Sequence, residues 1–176
     1  MQEKHIFFSL ILTKAEVCAL KRENISFDEE VLQVRGTMQR LQTFDSEDGK
    51  KTHIVITVPK SRSGVRDIPI PDFIMERLEE FRSMDEDVYL TTGRSDRFIE
   101  PRLLEKQFKL LLGECRMTGV NYHALRHTFA TRCIESGFDV KTLSEILGHS
   151  NANITLSKYV HTSMESKKVN MKKLVF

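Results

Sequence analysis

Apolar positions change their period several times along the 176-residue chain. Residues 6–12 are almost continuously apolar, and 13–21 carry Val17, Cys18 and Leu20 at helical spacing. That pattern predicts two short helices, or one bent one. Three runs rich in β-branched residues follow, at 31–38, 53–58 and 65–70. A polar turn at 45–51 separates the first two, and Pro59-Lys60-Ser61-Arg62-Ser63-Gly64 separates the last two. Together they predict a three-stranded antiparallel sheet with a basic hairpin tip.

The helical period then returns. Pro69 and Pro71 end the sheet, and Asp72 is placed to cap a helix through Ile74, Met75, Leu78 and Phe81. Pro101 opens a strongly apolar helix whose Leu103, Leu104, Phe108, Leu111, Leu112 and Cys115 read as core. From 121 to 160, His123 and Arg126 share one helical face, which the pattern leaves open, while Leu125, Phe129 and Cys133 recur on another that can bury. Asp139 is an N-cap for a helix through Leu143, Ile146 and Leu147; Gly148 offers a left-handed C-terminal cap, and His149 stands beyond it. Tyr159 lies on a further short helical pattern with Ile154, Leu156 and Val160. The predicted fold is α+β, mainly α-helical with a small three-stranded antiparallel sheet, in one domain spanning 1–176. The tail holds Met164, Met171, Leu174 and Val175 among lysines, and reads as an amphipathic helix for packing on its own domain or on a neighbouring copy.

Composition narrows the class only a little. Residues are 40% hydrophobic and 30% charged, a soluble globular profile, and the net charge of +2 is too small to reveal a nucleic-acid partner by itself. Cys18, Cys115 and Cys133 form no Cys-x-x-Cys pair and read as buried thiols of a reducing compartment. No run approaches a membrane span and no signal-peptide pattern opens the chain, so the expectation is a cytoplasmic protein without a membrane partner.

The gathered residue types carry more information. Arg126, His123, His149 and Tyr159 combine a cation, two imidazoles and a phenol. A phenol that attacks a phosphodiester must lose a proton held to a pKa of about 10, so it needs a base or cations beside it. The crowded phosphorus puts negative charge on its non-bridging oxygens, which a guanidinium grips with paired donors.

His123-x-x-Arg126, Leu147-Gly148-His149-Ser150 and Tyr159, in that order and spacing, strongly resemble the catalytic core of the tyrosine recombinases, the phage-integrase family. Lys158-Tyr159-Val160-His161 most resembles the integrases of conjugative transposons. The resemblance implies a catalytic-domain fold and site-specific DNA recombination that integrates or excises a mobile element. Tyr159 would be the nucleophile forming a 3′-phosphotyrosyl link, and Arg126 and His149 would hold phosphate oxygens. His123 would assist proton transfer, and Lys60 would protonate the departing 5′ oxygen. Neither metal nor other cofactor is implied. The partners would be double-stranded DNA and further copies of the chain, assembled on DNA through the C-terminal tail. The DNA-clamping domain that normally precedes this one is expected to be absent, making the chain a fragment.

One box departs from the pattern. Where the family carries its first catalytic arginine, three residues before Glu16, this chain has Thr13, followed by Lys14. Three explanations stay open: an impaired catalyst, an altered version, or a shifted local alignment in which Lys14 supplies the charge. The rival reading that follows is a catalytically silent DNA-binding or assembly module. A metal hydrolase built on His123 and His127 fits poorly, because the helix between them lacks a glutamate base and Arg126 would repel a cation.

Overall fold

The computed structural model describes residues 3–42, 52–159, 168 and 171–172, with side chains from residue 7 onward. The predicted turn at 45–51 and most of the predicted tail helix lie outside these residues. The N-terminal apolar run forms two helices, α1 (Glu3–Ile11) and α2 (Lys14–Ala19), not one bent helix. The break comes from a capping box: Thr13 Oγ1 accepts from the Glu16 backbone N–H at 3.3 Å, and Glu16 Oε2 accepts from the Thr13 N–H at 2.7 Å.

The strands among the described residues are β1 (Ile25–Ser26), β2 (Val31–Val34), β3 (Thr37–Gln42), β4 (Thr52–Thr57) and β5 (Arg66–Pro69). The sheet differs from the expectation in membership. The run at 31–38 divides at Arg35-Gly36, so β2 pairs antiparallel with β1 and β5, while β3 pairs only with β4 in a separate two-stranded ribbon. Gly36 makes the division possible, because a Cβ there would meet Ile56 Cγ2 at 2.8 Å. Lys60 therefore lies on the segment between ribbon and sheet, not at the tip of a hairpin within one sheet.

Helices α3 (Asp72–Leu78) and α4 (Pro101–Glu114) follow, then α5 (His123–Glu135), α6 (Val140–Leu147) and α7 (Ala152–Tyr159). Asp72 is the first residue of α3, and Pro71 occupies the capping position. α1, α2, the sheet, α3 and the inner face of α4 enclose the main core around Phe8, Leu12, Val17, Leu32, Leu78 and Leu104. A smaller cluster of Ala130, Cys133, Leu143, Leu147 and Tyr159 holds α5, α6 and α7 together. Phe129 packs on both and joins them. Fully burying a leucine such as Leu143 contributes roughly 1.5–3 kcal/mol, so three short helices are fixed by very few side chains. No helix among the described residues is long and apolar enough to cross a membrane.

Candidate functional site

Tyr122 anchors the start of α5. Its hydroxyl donates to Ser9 Oγ of α1 at 2.5 Å, and its ring meets Phe108 of α4 edge-on at 5.3 Å. That anchor brings Arg126, one turn later, to the C-terminal end of α1. Arg126 Nη1 donates to the Ile11 carbonyl at 2.7 Å, and Nη2 donates to the Leu147 carbonyl at the end of α6. The guanidinium thus ties together three helix termini, and carbonyls at helix C-termini favour a cation. Arg126 is only 8% exposed, which corrects the expectation of an open His/Arg face; His123 does stay exposed.

α6 ends as the sequence predicts. Asp139 accepts from the Thr142 N–H at 2.9 Å, and Gly148 takes the left-handed conformation with φ 68°. Only glycine fits here, since a Cβ would come within 2.8 Å of Arg66 Nη1 and 2.9 Å of the Ser63 carbonyl oxygen. His149 follows, its backbone N–H donating to the Ser144 carbonyl at 3.0 Å and its Nδ1 lying 2.8 Å from Thr155 Oγ1. Burial, then the charges of Arg126, Lys158 and Arg66, depress the His149 pKa to about 4. The His123 pKa is lowered too, by burial first and then by Arg126 and His127. Both imidazoles are neutral at pH 7.

Tyr159 is the last described residue of α7 and is buried, with its ring 5.5 Å from that of His127. Burial pushes its phenol above its ordinary value, and the charge of Arg126 partly opposes this. Lys60 enters from the other side. It is exposed, and with Thr13, Glu16, Arg126, Leu147 and Gly148 it lines an open cavity of about 420 Å³. Lys60 and Arg126 therefore share a cavity. His123, His149 and Tyr159 are not among its lining residues; they join it through Arg126, whose charge acts on all three. Among the described residues no group of three or more His, Cys, Asp or Glu side chains is placed to hold a metal.

Two further features are not evident from the motifs. Arg66, in the β-rich run at 65–70, is buried: Nη1 pairs with Glu16 Oε1 at 2.7 Å, and Nε donates to the Ile146 carbonyl at 2.7 Å. Burial would raise the Glu16 carboxyl, but hydrogen bonding and charge from Arg66 hold it below its ordinary value. Lys14, the candidate substitute cation, turns instead to α4, where it pairs with Glu105 at 2.5 Å. It does not line the cavity, and Thr13 does.

Comparison with known proteins gives this geometry a context. Residues 6–166 match the model of the Phage integrase family. A tyrosine recombinase XerC-like protein of Caldanaerobacter subterraneus subsp. tengcongensis is 29% identical over 175 residues, covering 91% of this chain and 45% of that protein. Tyrosine recombinase XerA of Thermococcus onnurineus is 30% identical over 150 residues, 82% of this chain and 44% of that one. The chain thus spans about half the length of the curated relatives it matches. The fold is that of the Tn1549 transposon integrase, solved in complex with circular intermediate DNA: the TM-score is 0.74 at 24% identity, covering 98% of this chain and 58% of that one. A family match across nearly the whole described chain, on a shared fold, makes this protein a member of the phage integrase family.

Proposed function

We propose that this chain is the DNA-cutting and DNA-joining part of a site-specific recombinase acting on a mobile element. The observation that supports it most is Arg126: a buried guanidinium, pinned by two carbonyls, on the wall of an open cavity that Lys60 also lines, with its charge reaching Tyr159. Among the described residues only two of its N–H groups are spent on the protein, so others remain for phosphate oxygens.

The steps balance without a cofactor. The Tyr159 oxygen attacks phosphorus, its proton passing to a neutral imidazole, the part assigned to exposed His123. Arg126 and His149 hold the non-bridging oxygens as charge builds there. The bond from phosphorus to the 5′ oxygen breaks, and Lys60 gives that oxygen its proton. The phosphotyrosyl ester conserves the bond for rejoining. Double-stranded DNA is the substrate, and copies of the chain assemble on it through the segment after residue 160.

A nicked suicide substrate tests the reading directly. The wild-type chain yields a covalent adduct on denaturing gels; Tyr159→Phe yields none, while its stability changes by about 1 kcal/mol or less. A Tyr159→Phe protein that still forms the adduct overturns the assignment. Thr13 supports a second reading, a DNA-binding module that has lost turnover, because the cavity wall at this position lacks the arginine of the family pattern. Binding without any adduct, even with Thr13→Arg, would establish that alternative.

A further inference from the structure

The nearest neighbour of His149 is not part of any motif. Thr155 sits on α7 with 0% exposure, and its Oγ1 lies 2.8 Å from His149 Nδ1. Most helical threonines can return their hydroxyl to the carbonyl one turn back. Thr128 does so, donating to the Ala124 carbonyl at 2.9 Å. Thr155 does not: among the described residues its hydroxyl has His149 as its hydrogen-bond partner and no other.

That choice has a direction. A buried hydroxyl with a single partner can donate to it or accept from it. If it accepts, its own proton is orphaned where no water reaches, and orphaned buried donors are rare. If it donates, only an oxygen lone pair is left over, which is the smaller loss. The hydroxyl therefore donates and Nδ1 accepts. A neutral imidazole carries one N–H, so the proton must sit on Nε2.

We propose that Thr155 is a positioning residue that locks His149 in the Nε2–H tautomer, making it a hydrogen-bond donor to phosphate oxygen and removing it as a base. The proposal builds on the phosphate-handling reading above. His149 is held at both ends: its backbone N–H is fixed to the Ser144 carbonyl at 3.0 Å and its Nδ1 to Thr155. The cations around it, Arg126, Lys158 and Arg66, oppose protonation, so it offers one donor and no positive charge. Proton acceptance from Tyr159 then falls to another group, and His123 is an exposed imidazole with a lowered pKa. Thr155 and Tyr159 lie one turn apart and are the buried residues of α7. The tautomer lock and the nucleophile thus ride on the same helix face.

Proton-coupled nitrogen NMR on the 15N-labelled chain reads the tautomer without DNA. At pH 7 the wild-type His149 ring is expected to show the Nε2–H pattern. Thr155→Ser should keep it, and Thr155→Val, which preserves shape but removes the hydroxyl, should give mixed tautomers. An Nδ1–H pattern in the wild type overturns the proposal without any variant, as does a Thr155→Val ring that stays wholly Nε2–H. In the suicide-substrate assay Thr155→Val should slow adduct formation about tenfold, the lower end of what losing an outer partner of a site histidine costs, and Thr155→Ser should recover it. Absence of any adduct from the wild type would count against the DNA-cutting reading, while the NMR result still decides the tautomer.

Discussion

The two walls of the cavity are made of similar residue types put to different use. On the α5–α7 side, Arg126 is buried and, among the described residues, hydrogen-bonded only to backbone carbonyls; it forms no salt bridge there, and its charge acts on His123, His149 and Tyr159. On the α2 side the side chains of Thr13, Lys14 and Glu16 already have partners, Lys14 standing outside the cavity itself. Thr13 and Glu16 cap each other, Glu16 also takes Arg66, and Lys14 takes Glu105. Availability for chemistry depends on what a side chain is already bonded to. Two arginines show it most plainly: Arg66 faces a carboxylate and serves the fold, while Arg126 faces carbonyls and keeps its charge.

Breaking the closed wall should have the largest effect. Glu16→Ala leaves the Arg66 guanidinium buried without a counter-charge, which costs about 3–5 kcal/mol. It also removes half of the capping box. Urea denaturation should show a large fall in midpoint, and a loss below about 1 kcal/mol would mean that Arg66 reaches water and the wall is not closed.

The open wall should respond differently. Arg126→Lys keeps a charge but cannot span the Ile11 and Leu147 carbonyls, so one is left wanting and stability falls by about 1–3 kcal/mol. Adduct formation should drop by roughly 10²–10³, as when one aligned donor to a transition-state oxyanion is removed. Equal loss of binding and of the chemical step would show that the fork merely holds DNA.

Acid should act on both walls through different groups. The His149 pKa is lowered in the fold, so between its ordinary 6.5 and about 4 the unfolded chain binds the extra proton. Stability is then complete above 6.5 and falls as pH drops through that window. The Glu16 pKa is lowered as well, so its contribution is present above its ordinary 4.5 and is lost at more acid pH, as its folded value is passed. Melting temperature should therefore decline in two stages. His149→Asn should shrink the first stage, leaving the share of His123, whose pKa is also lowered, and spare the second; an unchanged profile in that variant would mean the imbalance lies elsewhere.

The contrast also explains what the sequence disclosed. Helix ends were legible because their signals are local: Pro101 opening α4, Asp139 and Gly148 bounding α6. The division of one β-rich run between two sheets was not, because it depends on Ile56 crowding Gly36 from another strand. Arg66 carried a usable signal: it alternates with Ile68 onto the buried face of β5. The burial of Arg126 had no such sign. The carbonyls that make it tolerable belong to Ile11 and Leu147, and only the tertiary fold brings them near. The motif residues themselves were all readable; that His123, His149 and Tyr159 lie outside the cavity lined by Lys60 and Arg126 was not.

The smallest change in stability should carry the most information about turnover. Thr13→Arg removes the hydroxyl that caps α2, worth about 1 kcal/mol, but the replacement keeps its backbone N–H, so the bond to Glu16 Oε2 survives. Thr13 already lines the cavity beside Arg126 and Gly148, so a guanidinium there enters the site without disturbing the Glu16–Arg66 pair. Adduct formation should rise while stability falls slightly, the opposite signs separating a gain in chemistry from a gain in folding. Lys14→Met is the companion variant. Its pair with Glu105 is surface-exposed, with side-chain exposures of 43% and 35%, and such pairs contribute at most about 1 kcal/mol. If Lys14 plays no part in the chemistry, its loss leaves adduct formation unchanged in both the wild-type and Thr13→Arg backgrounds. A fall in the wild type that Thr13→Arg reverses would instead show that Lys14 leaves Glu105 when DNA binds, and that the closed wall opens to supply a cation.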